Sequence, residues 1–255
     1  MSAPAPSTAL SIRSLTTEEE RRAAVRLYRT AFGLPESDPA ISPKLLAAVQ
    51  HNGGSALGAF DENDRILGFT YGFVGMDESG PYHYSQTAAV DPRAQGRGVG
   101  RRLKRAQAEV ARRSGVTTMR WAYDPLHARN AHFNLDVLGA VGRWFHRDYY
   151  GMRDALGRTD RIVVEWDLGD ALPPAHVPAP SVVPEWGATR TEHGVTWLAV
   201  PARSDVLVRT EPARAAAVRD RVADELAHRL GGGRVLQSCR RVDDATALYR
   251  IGEAR

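Results

Sequence analysis

The sequence predicts an α/β chain of the α+β type that carries a smaller αβ segment at its C-terminal end. Strand-like apolar runs alternate with amphipathic helical patterns, a polar four-residue turn joins two of the runs, and a glycine-rich loop links a strand to a helix. Of the 255 residues, 43% are hydrophobic and 25% are charged, which is the usual balance of a globular protein.

The elements before the glycine-rich loop follow from local signals. Thr17 is a suitable N-cap, and the glutamates after it favour a helix start because the helix dipole is positive there. The polar run Asp61–Asp64 between two apolar runs predicts a β-hairpin. The predicted elements are strands over 12–15, 55–60, 66–74 and 82–90 and helices over 18–32 and 43–50.

The glycine-rich loop is residues 95–100, Gln-Gly-Arg-Gly-Val-Gly, which follow a strand and open a helix. Its three glycines remove side chains, so a phosphate can approach the backbone. The first amides of the helix have no partner within the helix, and the dipole is positive at that end. The loop therefore predicts an anion site, although the same spacing also fits an ordinary tight turn before a surface helix.

The predicted elements after the loop begin with a helix over 99–114 that ends before Gly115. Its apolar face is expected to consist of Val99, Leu103, Ala106 and Val110. Strands follow over 116–123, 140–149 and 161–168, with a helix over 128–138 between the first two.

The remainder of the chain predicts a separate C-terminal part. It contains apolar runs at 195–200 and 206–209, a helix over 212–230 with an apolar stripe at Val218, Val222, Leu226 and Leu230, and strands over 235–240 and 246–251. This part is too short for a large core of its own, so we expect it to dock on the main domain. The predicted divisions are a flexible tail over 1–10, a main domain over 11–168, a Pro/Ala-rich connection over 169–190 and the αβ segment over 191–255.

The element order and the spacing Gln-x-x-Gly-x-Gly resemble the GNAT superfamily of acyl-CoA-dependent N-acyltransferases over roughly residues 10–168. The segments 124–126 (Asp-Pro-Leu), 129–131 (Arg-Asn-Ala) and 138–140 (Leu-Gly-Ala) look like the signature of one branch of predicted acetyltransferases in that superfamily. That branch also carries a C-terminal αβ extension. The resemblance implies a mixed, mostly antiparallel sheet flanked by helices.

The resemblance also implies where acyl-CoA is bound. Pantetheine is expected along the end of the strand before the loop, and the pyrophosphate on the loop amides with arginine side chains nearby. Lys104 and Arg105 are expected on a solvated helix face. The implied acyl-CoA contacts are Ala88, Val90, Gln95, Gly96, Arg97, Gly98, Val99, Gly100, Arg101, Arg102, Asn130 and Phe133.

Three catalytic residues are implied by the same resemblance: Tyr150, Asn130 and Asp124. A phenol is protonated at neutral pH, so Tyr150 can protonate the leaving thiolate of CoA, with Tyr149 as its neighbour in sequence. The alternatives are an aromatic packed at a strand end for Tyr150, a helix cap for Asn130 and an Asx turn for Asp124.

The sequence does not identify a general base, for which His83, Tyr84 and His132 are candidate relays. The single cysteine and the scattered histidines show neither a covalent-nucleophile arrangement nor a metal-ligand spacing. We therefore expect direct transfer of the acyl group without a metal.

These observations predict an N-acyltransferase that moves an acyl group, in the first instance acetyl from acetyl-CoA, to a small amine or an amino acid. A succinyl-CoA-dependent amino-acid transferase and a non-catalytic acyl-CoA-binding module are the alternatives. A nucleic-acid binder fits less well, because no aromatic residues interleave with the basic run after the loop.

Charge and composition also indicate partners and location. The formal net charge of +4 suits an anionic ligand. The single cysteine, the lack of a long apolar run and the N-terminal composition favour a cytoplasmic protein without a membrane or nucleic-acid partner. A homodimer is one option for its assembly.

Overall fold

The computed structural model describes residues 10–37, 41–154, 157–169 and 177–254. The chain divides into two units, Met1–Met119 and Arg120–Arg255. The expected tail, apart from its last residue, and residues 170–176 of the expected connection lie outside the described residues.

The first unit is a four-stranded antiparallel sheet with helices on both faces. Its strands pair in the order β1-β2-β3-β4, and β2 and β3 form the predicted hairpin. Thr17 and Glu20 form a capping box that starts the first helix, as the sequence predicts. The elements are β1 (Ser11–Ser14), α1 (Glu18–Phe32), α2 (Pro43–His51), β2 (Ser55–Phe60), β3 (Ile66–Asp77), β4 (Gly80–Val90) and α3 (Val99–Arg113).

The two faces of this sheet have separate apolar clusters, because side chains alternate along a strand. Ala56 and Phe60 of β2 belong to the cluster that includes α1 and α2 residues. Leu57 and Ala59 belong to the cluster that includes Leu103 of α3. The glycine-rich loop therefore leads into a helix whose position on the sheet is set by packing.

Strand β4 contains a bulge close to the loop. Tyr71 of β3 faces Thr87, whereas the next residue, Gly72, faces Ser85, so Gln86 has no partner in the register. A bulge of this kind bends the strand and increases its twist. The segment Thr87–Val90 that precedes the loop thus follows a change in strand direction.

The second unit is a sheet in the order β5-β9-β6-β12-β13-β11-β10. β5 starts just before the boundary between the units. Two short strands, β7 and β8, form a separate hairpin that the sequence analysis did not predict. The elements are β5 (Thr118–Tyr123), α4 (Ala128–His132), β6 (Val141–His146), β7 (Arg153–Asp154), β8 (Gly157–Arg158), β9 (Arg161–Asp167), β10 (Thr189–Glu192), β11 (Val195–Pro201), α5 (Ser204–Thr210), α6 (Pro212–Arg229), β12 (Arg234–Arg241) and β13 (Thr246–Glu253).

The C-terminal αβ segment continues the sheet of β6 and β9. β12 pairs antiparallel with β6 through Leu236 and Gly142, and a Cβ at Gly142 would lie 2.9 Å from the Leu236 Cβ. The predicted stripe of α6 is buried except for Leu230, which ends the helix and is half-buried. The fold is the predicted mostly antiparallel sheet with helices and an added C-terminal αβ segment.

Three of the predicted elements differ in the structure, and the strand β10 begins within the predicted connection. The helix over 128–138 is α4 followed by a π-helical turn, Phe133–Val137, in which the amide of Leu138 donates to Phe133 O at 3.0 Å. The strand expected over 140–149 ends at His146, which places Tyr149 in a turn. The apolar run 206–209 lies in the helix α5.

Candidate active site

The loop between β4 and α3 exposes backbone to a ligand. Asp91 caps a short 3₁₀ turn, Pro92–Ala94, through its Oδ1, which accepts the Arg93 amide at 2.9 Å. Gly96 and Gly98 then adopt left-handed φ angles of 78° and 77°, which favour glycine. No described atom lies within 4 Å of a Cβ built on either glycine, so a ligand can approach this backbone.

The N-terminus of α3 is suited to an anion. Gly98 is its N-cap, and within the described residues no side chain caps this end. The amides of the first turn therefore lack intrahelical partners at the positive end of the dipole. By sequence, the first turn contains no acidic residue. Gly100, predicted as part of the loop, is the second residue of the helix.

The side chains of the loop divide into exposed and engaged groups. Arg97 and Arg101 are exposed, whereas the Arg102 guanidinium donates to the carbonyl oxygen of Leu10. The Gln95 amide lies 3.5 Å from the carbonyl oxygen of Val90. Val99 is buried in the core, so this residue offers only its backbone to a ligand.

Acidic charge close to the loop is neutralised. The carboxylate of Asp91 accepts hydrogen bonds from the Arg93 side chain at 2.9 and 3.1 Å. These hydrogen bonds lower the pKa of Asp91, and the nearby Arg65 adds to the effect. The loop therefore presents free arginine side chains beside a carboxylate that is already paired.

The end of β4, whose backbone is predicted to contact pantetheine, pairs with β3. Ala88 faces Thr70, and Val90 faces Gly68. Ala88 is exposed and Val90 half-buried. Position 68 favours glycine, because a Cβ there would lie 3.0 Å from the Ala89 carbonyl oxygen and from the Leu103 side chain.

Lys104 contradicts the expectation of a solvated helix face, whereas Arg105 is exposed as expected. Only 4% of Lys104 is exposed, and its Nζ donates to Ser85 Oγ at 2.7 Å. Burial lowers the pKa of Lys104 well below its usual value. The helix is rotated relative to the predicted apolar face: Ala106 and Val110 are half-buried, whereas Gln107, Ala108 and Ala111 are buried.

Lys104 belongs to a buried polar network beneath α3. Ser85 Oγ donates to Gln107 Oε1 at 2.7 Å, and the Gln107 amide donates to Ser55 Oγ at 2.9 Å. Ser55 Oγ lies 2.9 Å from His83 Nε2. Lys104 and Gln107 lie on the same face of the helix as Leu103 and Ala111. This spacing is the feature of the sequence that could have indicated the network.

His83 is held neutral in this network. Burial, together with the nearby Lys104 amine, lowers the pKa of His83 to about 4. Its Nδ1 makes no hydrogen bond within the described part of the chain. The other candidate relays are placed differently: Tyr84 stacks on Phe73 with ring centroids 5.5 Å apart, and exposed His132 has its Nδ1 3.0 Å from Cys239 O.

Asp124 in the second unit has both carboxylate oxygens engaged. Oδ1 accepts the Leu126 amide at 2.8 Å, which is the Asx turn that was the alternative. Oδ2 accepts two hydrogen bonds from the Arg219 guanidinium, each 3.1 Å long. The carboxylate is 7% exposed. These contacts give Asp124 a structural function at the start of the loop that leads to α4.

Asn130 is an exposed residue inside α4, whose N-cap is His127, so it does not cap the helix. Its Oδ1 lies 3.5 Å from the amide of Asn134. Asn134 is buried and accepts a hydrogen bond from the Trp121 indole at 3.0 Å. Phe133 is half-buried and begins the π-helical turn, a feature found often at functional sites.

Tyr149 and Tyr150 lie in the turn after β6 and not at a strand end. They are 36% and 40% exposed, and their rings meet edge to face with centroids 4.8 Å apart. The Arg161 guanidinium lies 5.2 Å from the centre of the Tyr150 ring. Both side chains are therefore partly exposed.

Neither a metal site nor a membrane-spanning helix is found among the described residues. Among them, no group of three or more histidine, cysteine, aspartate or glutamate side chains is arranged to hold a metal ion. No described helix has both the length and the apolar character needed to cross a membrane.

The left-handed glycines and the uncapped N-terminus of α3 form a loop in this α/β protein whose backbone is open to an anionic ligand. Residues 26–134 match the acetyltransferase (GNAT) family. Acyl transfer from acyl-CoA is the chemistry of that family. No curated protein matches the sequence.

Solved structures share the fold. The ribosomal-protein-S18-alanine N-acetyltransferase from Escherichia coli is 24% identical, with a TM-score of 0.50 over 64% of this chain and 99% of that chain. The protein yncA from Salmonella typhimurium, solved with its cofactor acetyl-CoA, is 22% identical, with a TM-score of 0.50 over 66% and 99%. The NatC complex bound to Gag peptide and CoA is 14% identical, with a TM-score of 0.50 over 62% and 98%.

Proposed function

We propose that this protein transfers an acetyl group from acetyl-CoA to the amine of a small molecule or an amino acid by direct attack on the thioester. The observation that carries the proposal is the loop at 95–98 with the uncapped α3 N-terminus. Open space at Gly96 and Gly98, unpaired first-turn amides and two exposed arginines fit a pyrophosphate. The thioester of acyl-CoA supplies the activated acyl group.

The residues proposed to bind acyl-CoA have different functions. The backbone from Ala88 to Val90 pairs with the pantetheine amides, and the amides of 95–101 hold the pyrophosphate. Arg97 and Arg101 are the proposed ion partners of the phosphates, whereas Arg102 supports the loop through its bond to Leu10. Asn130 and Phe133 are proposed to contact the pantetheine from α4.

Tyr150 is proposed as the general acid. An unperturbed phenol is protonated at neutral pH and can donate its proton to the departing thiolate. The exposure of Tyr150 permits this function. No residue is proposed as the base, because His83 is buried and its pKa of about 4 makes it a weak proton acceptor. The proton of the acceptor ammonium can leave to solvent.

A panel of amines and amino acids with acetyl-, propionyl- and succinyl-CoA tests the proposal, with free thiol as the readout. Cys239 is buried, and burial raises the pKa of its thiol, so the protein contributes little background. Amine-dependent thiol release that is fastest with acetyl-CoA is the expected result. Preference for succinyl-CoA would reassign the donor, and CoA binding without any release would identify a binding module.

Two further expectations belong with this proposal. The reaction is expected in the cytoplasm, where the single cysteine stays reduced. A homodimer stays a prediction, which sedimentation of the full chain tests directly.

A further inference from the structure

The C-terminal segment supplies a buried arginine to the loop that leads to α4. Arg219 of α6 is 5% exposed, and both of its terminal nitrogens lie 3.1 Å from Asp124 Oδ2. One of them also lies 3.3 Å from the carbonyl oxygen of Arg158. Because both charged groups are buried, each depends on the other for compensation.

The Arg158 contact connects this pair to a second buried carboxylate. The Arg158 guanidinium binds both oxygens of Asp160, at 2.7 and 2.8 Å, and a third nitrogen lies 2.9 Å from Asp220 Oδ1 of α6. Burial alone would raise the pKa of Asp160, but the hydrogen bonds from Arg158 and the Asp148 amide outweigh burial and lower it. The carboxylate is therefore ionised and fixed in place.

Asp160 and its neighbour Thr159 hold the turn that carries the two tyrosines. Asp160 Oδ1 accepts the Asp148 amide at 3.0 Å. Thr159 accepts the Tyr149 amide at its carbonyl oxygen, at 2.8 Å, and the Tyr150 amide at its Oγ1, at 3.3 Å. Three successive amides of this turn are thus bonded to residues 159 and 160.

An independent contact from the C-terminal segment holds the π-helical turn after α4. Asp136 Oδ1 accepts from Ser238 Oγ at 2.7 Å and from Arg240 Nε at 2.8 Å, and Oδ2 accepts the Cys239 amide at 2.9 Å. The π-helical turn after α4 is therefore bonded directly to the C-terminal segment, whereas the turn that carries Tyr150 is connected to it through Asp160 and Arg158.

We infer that Arg219 is a positioning residue for acyl transfer, which acts by joining the loop at Asp124 to the turn that presents Tyr150. The inference rests on the proposed function of Tyr150 as the acid. A guanidinium is required at this site, because its planar fork reaches Asp124 through two nitrogens and the Arg158 carbonyl at the same time. A lysine ammonium retains the charge but cannot reproduce this geometry.

The test compares Arg219→Lys, Tyr150→Phe and the double variant in the full-length chain. Arg219→Lys is expected to lower kcat about 10-fold to 100-fold, as a displacement of a catalytic group by about 1 Å does, with KM for acyl-CoA unchanged. If Arg219 acts through Tyr150, the double variant is no slower than Tyr150→Phe alone. Arg209→Gln, an exposed arginine of α5, is the control and is expected to keep full activity.

A second measurement separates positioning from loss of stability. Hydrogen exchange of the amides of residues 148–150 is expected to accelerate in Arg219→Lys, while exchange in α3 is unchanged. Wild-type turnover in Arg219→Lys would overturn the inference. The inference would also be overturned if the fold-losses of kcat in the two single variants multiplied in the double variant. The two residues would then act independently.

The outcome for the proposed function is read separately. If Tyr150→Phe alone has no effect on kcat, the assignment of the acid fails. Faster exchange at 148–150 in Arg219→Lys then still supports the positioning function for this turn, and unchanged exchange overturns it.

Discussion

The buried histidine beneath α3 makes the stability of the first unit depend on pH. His83 is neutral in the folded chain because burial and Lys104 lower its pKa to about 4, whereas an unfolded chain restores a pKa near 6.5. Below pH 6.5 the unfolded state therefore binds a proton that the folded state rejects. The part of the folding stability that depends on neutral His83 is fully present above pH 6.5. It is lost as the pH falls toward 4.

The magnitude follows from the two pKa values. Lowering the pKa of a histidine from 6.5 to about 4 corresponds to roughly 3 kcal/mol when fully expressed. Between pH 7 and pH 5, about 2 kcal/mol of this is lost. His83→Gln removes the titration, so this variant is expected to lose about 2 kcal/mol less than the wild type over the same interval.

The assay must report on the first unit. All five tryptophans lie between residues 121 and 197, so tryptophan fluorescence reports on the second unit only. Hydrogen exchange of the β2, β3 and β4 amides, corrected for the intrinsic pH dependence of exchange, is the suitable measurement. His51→Gln, at the exposed end of α2, is the matched control and is expected to follow the wild type. Equal losses in His83→Gln and the wild type would refute the reasoning.

The remaining predictions concern the loop, the acid and the C-terminal segment. Gly98→Val is expected to weaken acyl-CoA binding, measured by calorimetry, at least about 10-fold. Gly115→Val is the control at the other end of α3, where φ is 74°. It introduces a similar backbone strain of roughly 1–2 kcal/mol and is expected to leave the affinity unchanged. Unchanged affinity in Gly98→Val would remove the phosphate site. Tyr150→Phe is expected to lower kcat about 100-fold without affecting acyl-CoA binding, and Tyr149→Phe to matter less; the reverse ranking would exchange their functions. A chain ending at Gly169 loses the β12–β6 pairing, the Arg219 partner of Asp124 and the β12 partners of Asp136. We therefore expect this fragment to aggregate in size-exclusion chromatography. A monomeric, fully active fragment would contradict this expectation.

The sequence predicted the elements whose signals are local. The N-cap at Thr17, the hairpin turn at 61–64 and the glycine after α3 each depend on residues within a few positions of one another. The glycine-rich loop is of the same kind, because its left-handed residues and helix start are adjacent in sequence. These features could therefore be predicted without knowing which elements pack together.

Local signals could not predict which face of α3 is buried, nor where α4 and β6 end. Apolar spacing alone favoured Ala106 and Val110 on the buried face. Packing on the sheet instead buries Lys104 and Gln107, whose hydroxyl partners are Ser85 of β4 and Ser55 of β2. The π-helical turn contains Asp136, whose three donors lie about a hundred residues further along the chain. Contacts over such separations leave no mark in the local sequence.

The proposed site residues in the loop and those in the second unit are positioned by different contacts. The loop at 95–98 depends on glycine conformation and on its own helix, so its geometry is independent of the C-terminal segment. Asn130 lies in a short helix and Tyr150 in a turn, and both elements are bonded to α6 or β12 or to residues that those elements hold. Substitutions in the loop should therefore act on acyl-CoA affinity, whereas those at Arg219 of α6 should act on kcat. An Arg219 substitution that impaired only acyl-CoA binding would show that this division of function is wrong.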